Sequence, residues 1–148
     1  WRNDLHAFDI ARRVRDRGAA LIIDYGHAES DVGETLQSVN EHAFADPLSA
    51  PGLADITAHV DFEIFGQAAE STGAMVQGPV TQGRFLSELG IEARAEALRR
   101  GASGEQAANI TAAVARLTES GRTGMGDLFK VMAICDPRLG PLPGLQSK

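Results

Sequence analysis

The stretch "AALIIDYGH", residues 19–27, decides the fold. Its apolar residues run without a polar break until an acid and a glycine end them, the pattern of a parallel strand covered on both faces. Immediately upstream, "LHAFDIARRVRDRG" (5–18) places apolar residues at 5, 8, 10 and 14 among arginines and acids. It reads as an amphipathic helix that stops at Gly18, a glycine C-terminal signal. Helix, short turn and buried strand make half of an α/β crossover unit. In open sheets of that class, ligands gather beyond the carboxyl ends of the strands, and "DYGH" holds that place here. Asp24, Tyr25, Gly26 and His27 are therefore candidates to line a cleft. The structural alternative is that Asp24 caps the following turn and Tyr25 packs.

Downstream, residues 28–51 are polar and carry Pro47 and Pro51, so they read as a long loop with one short regular piece around "TLQSVNEHAF" (35–44). A loop of that length within a domain is usually functional. Asp61 is a good N-cap for "FEIFGQAAEST", whose Phe62, Phe65, Ala68 and Ala69 share one face and which Gly73 closes. "AMVQGPV" (74–80) is a strand candidate broken by Gly78-Pro79, and Thr81 can cap "QGRFLSELG". Ser103 and Gln106 form a capping box for "GEQAANITAAVARLTES", with Ala107, Ile110, Val114 and Leu117 on one stripe. "MGDLFKVMAICDP" reads as a buried strand over 128–135 ended by Pro137, and the tail after it as irregular.

Composition narrows the function classes. The chain has 148 residues, about one domain, and is 43% hydrophobic, ordinary for a globular core. Its longest apolar run, 19–23, is far short of a bilayer crossing, so neither a membrane span nor a signal peptide is expected. Trp1 in place of an initiator methionine suggests a piece of something longer. A net charge of −6, from 14 basic and 20 acidic residues, argues against nucleic acid as partner. The single cysteine, Cys135, lies in an apolar run and reads as a buried thiol.

Motifs exclude more. No glycine spacing fits a phosphate or dinucleotide loop, and no GxSxG elbow occurs. The histidines, at 6, 27, 42 and 59, lack paired metal-ligand spacing, so no metal site is expected; His6 reads as a helix-surface residue. In "GLADITAHVDFEIFGQAAE" (52–70), Asp55, Thr57 and His59 would share one face if the segment is extended. That face is either solvated or site-lining, whereas Asp61 is better explained as a helix cap.

Taken together, "LIIDYGH", "TLQ…H…DPLSAPGLADITAHVDF", "TQGRFLSELGI" and "MGDLFKVMAI" resemble the C-terminal portion of the MidA family. These are class I S-adenosylmethionine-dependent methyltransferases, which include the mitochondrial arginine methyltransferase that assists respiratory complex I assembly. The likeness spans about residues 5–140, in the family's order. It implies an α/β fold: the C-terminal part of a Rossmann-like sheet, with three strands at 19–24, 74–80 and 128–135, the last antiparallel and central, and flanking helices. Residues 1–148 would be the C-terminal part of one methyltransferase domain, with 28–60 as a long substrate-rim segment. The family's glycine-rich adenosylmethionine loop and ribose-binding acid have no counterpart here. The cofactor-binding residues are therefore not assigned, and the chain alone is expected to be inactive.

The resemblance implies S-adenosylmethionine as cofactor, a protein substrate such as a complex I subunit, and a cytoplasmic location, or the mitochondrial matrix for eukaryotic relatives. On the acceptor side it implies Asp55, His59 and Tyr25 in catalytic positions. Asp24, Tyr25, His27, Asp55, Thr57, His59 and Asp61 would contact the substrate; carboxylates would hold a guanidinium and Tyr25 would stack on it. An alternative from another class is a non-catalytic interaction module, completed by a partner or by self-association through an exposed strand edge. A third is a hydrolase with a His/Asp metal site.

Overall fold

The computed structural model describes residues 4–40, 43–49, 52–121 and 123–146. Helix α1 (Asp4–Arg13) leads into strand β1 (Ala19–His27). Three short strands follow, β2 (Gln37–Asn40), β3 (Ala43–Ala45) and β4 (Asp55–Thr57), then the two-residue β5 (Val60–Asp61). Helix α2 (Phe62–Glu70), strand β6 (Met75–Thr81), helices α3 (Gln82–Glu88), α4 (Ile91–Arg99) and α5 (Gly104–Thr118), and strand β7 (Phe129–Cys135) complete the chain before a short 3-10 turn at Pro137–Leu139.

The main sheet has the order β5-β1-β7-β6. Strand β7 runs antiparallel to β1 and to β6 and lies between them, so the three strands expected from sequence stand in the expected arrangement. The physical reason is burial. Val131 to Cys135 are all buried, and a strand so apolar on both faces can only sit between neighbours. On one face Met132 and Ile134 pack with Ala7, Ala11, Val14, Phe62, Phe65 and Ala69, which joins α1 and α2 to the sheet. On the other, Val131 and Ala133 pack with Val80, Phe85 and Leu145. That second layer thins out over β1: Leu21 and Ile23, opposite Ala133 and Val131, are 51% and 47% exposed. Among the described residues β1's outer edge is paired only at Gly26↔Val60 and His27↔Asp61, where β5 runs parallel to it.

Several expectations need correction. Residues 28–60 are not one long loop, because β2 pairs antiparallel with both β3 and β4 to make a second, three-stranded sheet. The regular piece anticipated around 35–44 falls on β2 and β3, with residues 41 and 42 outside the described ones; Pro51 also lies outside them. The segment 52–61 is not continuously extended, since β4 ends at Thr57 and β5 begins at Val60. Helix α1 ends at Arg13, well before Gly18, and buries Ala7 and Ala11, with Val14 buried just after it, while Leu5 and Phe8 are 56% and 37% exposed. The left-handed residue in the turn is Arg17, at φ 54°. Gly18 matters for space, because a Cβ there would sit 3.0 Å from Val14 Cα.

The helices follow their caps. Asp61 accepts the Ile64 N–H at 3.0 Å to start α2, and Gly73, at φ 86°, turns the chain after it. Ser103 and Gln106 exchange the two hydrogen bonds of a capping box at α5. Helix α4, which no apolar stripe announces, buries only Ala95. The tail is pinned, not free: the Gln77 side chain donates to the Gly140 carbonyl and accepts from the Leu142 N–H, both at 2.8 Å, and Leu145 is buried. Among the described residues no helix is long and apolar enough to cross a membrane.

Candidate functional site

The carboxyl end of β1 carries the chemistry. His27 is the last residue of β1, and β5 brings the chain back beside it, so His59, just ahead of β5, reaches it across 32 positions of sequence. Their rings meet with His59 Nδ1 3.0 Å from His27 Nε2. His59's own N–H donates to Thr35 Oγ1 at 3.2 Å, which fixes the backbone that presents the ring. Both rings are half-buried and border a hollow of about 250 Å3 that Asp31, Glu34, Thr35 and Gln37 also line. Burial first, then the neighbouring His27 and the Lys130 ammonium, hold His59 below the ordinary histidine range. His59 therefore favours its uncharged state near neutrality.

This geometry requires a glycine at 26. A Cβ there would lie 2.3 Å from the Val60 carbonyl oxygen and 2.6 Å from the Phe62 ring, so β5 can pair with β1 only because residue 26 has no side chain.

The other sequence candidates are dispersed. Asp24 accepts the N–H of Tyr25 at 2.8 Å, and Tyr25 stacks on Phe129 of β7 with ring centroids 4.3 Å apart. Asp61 serves as the α2 cap and accepts a hydrogen bond from Ser30 Oγ at 2.7 Å, while Glu63 accepts the Ser30 N–H at 2.7 Å. Asp55 and Thr57 lie exposed on β4; Asp55 borders a separate hollow of about 400 Å3 beside Val39, Asn40 and Leu53. The structure thus brings His27 and His59 together and leaves Asp55 and Thr57 on the small sheet. Asp31, Glu34, Thr35 and Gln37 were missed. Nothing in their spacing marks them; they meet the histidines only through the β1–β5 return.

Elsewhere, a hollow of about 510 Å3 between β6 and the tail has no ionisable group among the residues that line it. Cys135 is buried, and that burial raises its thiol pKa, so it is not an activated nucleophile. Asp136 is 3% exposed and ties the end of β7 to the α1–β1 turn: it accepts the Arg17 N–H at 3.1 Å and the Arg138 Nε–H at 2.9 Å. These bonds hold its carboxyl well below the usual range. Among the described residues no group of three His, Cys, Asp or Glu side chains could hold a metal; His6 is exposed on α1, and His42 lies outside the described residues.

Comparisons with known proteins converge on one chemistry. Residues 4–80 match the family described as "Putative S-adenosyl-L-methionine-dependent methyltransferase". A mitochondrial protein of Drosophila melanogaster named as a homolog of protein arginine methyltransferase NDUFAF7 is 40% identical over 127 residues, 84% of this chain and 28% of its own length. The human protein arginine methyltransferase NDUFAF7, also mitochondrial, is 41% identical over 81 residues, 55% of this chain and 18% of its own. A crystal structure of an uncharacterized Burkholderia thailandensis protein superposes with a TM-score of 0.71 at 31% identity, covering 93% of this chain and 37% of that one. Another from the same organism, with S-adenosyl-homocysteine bound, gives 0.67 at 29% identity over 97% of this chain and 37% of that one. The chain thus spans less than a third of the length of these curated relatives.

The close-packed glycines described here offer that cofactor no cradle. Gly26, at the carboxyl end of β1, faces the protein's own Val60 and Phe62. A Cβ at Gly124 or Gly126 would meet the carbonyls of Thr118 and Glu119 at the end of α5, so these glycines also face the protein's own backbone.

Proposed function

The chain belongs to the family of S-adenosyl-L-methionine-dependent methyltransferases, and from that premise we propose that residues 19–61 form the acceptor side of a protein arginine methyltransferase. The observation that carries the reading is the hollow at the end of β1, bordered by two imidazoles and two carboxylates. A guanidinium is a planar cation, and carboxylates hold it through charge-assisted hydrogen bonds that also fix its plane. Methylating one of its nitrogens asks the protein mainly to align the reacting atoms. In this reading Asp31 and Glu34 supply the charge and His27 and His59 the wall. Asp24 and Tyr25 border the site from β1, Asp61 holds Ser30 in place, and Asp55 and Thr57 meet the peptide that carries the acceptor. The cofactor contributes the methyl group when bound, and its cradle belongs to the rest of a full-length protein, so this chain alone is inactive. A respiratory complex I subunit as acceptor, and a cytoplasmic location, are part of the same proposal.

A second reading rests on the open outer edge of β1. Seven residues of it, 19–25, have no paired neighbour among those described, so the chain could serve as an assembly module completed by a partner or by another copy.

Calorimetry on the full-length protein separates the two: it should give heat with S-adenosylmethionine on the first reading and none on the second, while this chain alone should give none on either. In the full-length protein, Asp55→Asn and His59→Ala should each leave donor affinity unchanged and slow single-turnover methyl transfer. Losing one charge-assisted hydrogen bond costs about 1.5–3 kcal/mol, roughly tenfold to a hundredfold in rate. Donor binding that weakens as much as turnover, or a pair of variants that changes neither, would refute the acceptor assignment.

A further inference from the structure

Two neutral imidazoles have two N–H groups and two nitrogen lone pairs between them. In the His27–His59 pair one N–H and one lone pair are used in the 3.0 Å bond between Nδ1 of His59 and Nε2 of His27. One N–H and one lone pair remain, and they lie on different rings. If His59 Nδ1 is the donor, the free lone pair is at His59 Nε2 and the free N–H at His27 Nδ1; if His27 Nε2 is the donor, these roles exchange. Among the described residues neither outer nitrogen is hydrogen-bonded to the protein, and both rings border the hollow.

We propose that His27 and His59 form a proton relay that removes the proton an acceptor nitrogen sheds when it is methylated. The proposal rests on the acceptor-side reading above and assigns the pair its task within it. A guanidinium nitrogen that gains a carbon substituent must lose one proton to keep its charge. Its N–H bond breaks with the electron pair left on nitrogen, and a new N–H bond forms at the outer lone pair of the dyad. The bridging proton shifts from one ring to the other, and the far N–H releases its proton to water. One proton enters and one leaves, the pair is cationic only in between, and the result is the other tautomeric arrangement. Exchange of the outer protons with water resets it.

The surroundings suit that task. Burial of His59 disfavours a resting positive charge on its ring, as does Lys130 from β7. Asp31 and Glu34 line the same hollow, where they can hold a cationic acceptor, while Asp61 and Glu63 at the start of α2 are engaged with Ser30. Since the folded state lowers the affinity of His59 for a proton, its imidazole is uncharged and able to accept at pH 7. His59 takes up a proton only at a lower pH than a free imidazole does, so the capacity to accept is lost below the ordinary histidine range and not at it.

The test has two arms. In the chain labelled with 15N-histidine, NMR should show a 15N–15N coupling across the hydrogen bond between His59 Nδ1 and His27 Nε2, and the pair should take up its first proton in a single step shared by both rings. In the full-length protein, His59→Gln keeps a hydrogen-bonding side chain but cannot relay a proton. It should lower kcat roughly a hundredfold or more with KM nearly unchanged, flatten the acid limb of the pH profile, and respond to added imidazole. No coupling, independent titration of the two rings, or a variant whose pH profile superimposes on that of the parent overturns the relay. If the parent full-length protein makes no methylated arginine at any pH, the acceptor-side reading falls and takes the relay's task with it; product with an unshifted profile removes the relay alone.

Discussion

Gly26→Ala tests whether the site depends on the β1–β5 return. The added methyl would sit 2.3 Å from the Val60 carbonyl oxygen, about 1 Å inside ordinary contact, and 2.6 and 2.7 Å from two carbons of the Phe62 ring. Neither neighbour can yield cheaply. Phe62 is fully buried among Ala7, Ala11, Phe65 and Met132, and the carbonyl is backbone. Overpacking of this kind costs about 1–3 kcal/mol, and loss of the short β5 ladder adds roughly 1 kcal/mol per hydrogen bond. A total of about 2–4 kcal/mol follows, read as a lowered denaturation midpoint at unchanged slope. A displacement of about 1 Å at Val60 also carries His59 out of reach, since the 3.0 Å bond to His27 does not survive at 4 Å. The coupling across the His27–His59 bond should therefore vanish in the same variant. Adding Phe62→Leu should recover only the ring's share of the cost, because the carbonyl clash remains. A loss below about 0.5 kcal/mol with the coupling intact would refute the reasoning.

Two further outcomes follow from the same structure. Asp136, held ionised by Arg138 and the Arg17 N–H, binds protons less readily folded than unfolded, so its contribution is present above the ordinary aspartate value of 3.8 and is lost as the pH falls below it; melts at pH 7 and pH 3 should differ more for the parent than for Asp136→Asn, and equal differences would show the bond to be inert. The outer edge of β1, with Leu21 and Ile23 exposed, should make the isolated chain self-associate, and Ile23→Lys should weaken that association at least tenfold in light scattering; a parent that stays monomeric at high concentration would count against it.

What was legible in the sequence is what burial writes continuously. Residues 131–135 are apolar and buried on both faces, as expected, whereas 19–23, read as covered on both, leave Leu21 and Ile23 exposed on one; the helix caps at Asp61, Thr81 and Ser103 are local signals that the folded chain uses as they stand. What was not legible depends on pairing across distance. Strands "QSVN", "AFA" and "DIT" have no apolar run, and Gln37 finds Thr57 only after a return of the chain. Helix α4 has one buried residue, Ala95, so no stripe betrays it. In α1 the larger side chains misled: close approach to α2 is made by Ala7 and Ala11, small enough to let the helices meet, and Leu5 and Phe8 are left outside.

The histidine dyad is illegible for the same reason, and its origin ties the two open features of the sheet together. His27 and His59 meet because β5 takes the last two outer positions of β1, so the dyad marks where that edge stops being free. The seven free positions begin one residue earlier, at Tyr25, and run back to Ala19. A strand added parallel to β1 along them would end beside β5, and its carboxyl end would open onto the hollow that the dyad, Asp31 and Glu34 line. Pairing of the edge and completion of the site would then be one event, since the same backbone would satisfy the edge hydrogen bonds and wall the hollow. On this argument an isolated chain that pairs its edge with a second copy covers Leu21 and Ile23 yet leaves the acceptor without a donor. Association of the chain with itself and methyl transfer therefore compete for the same edge.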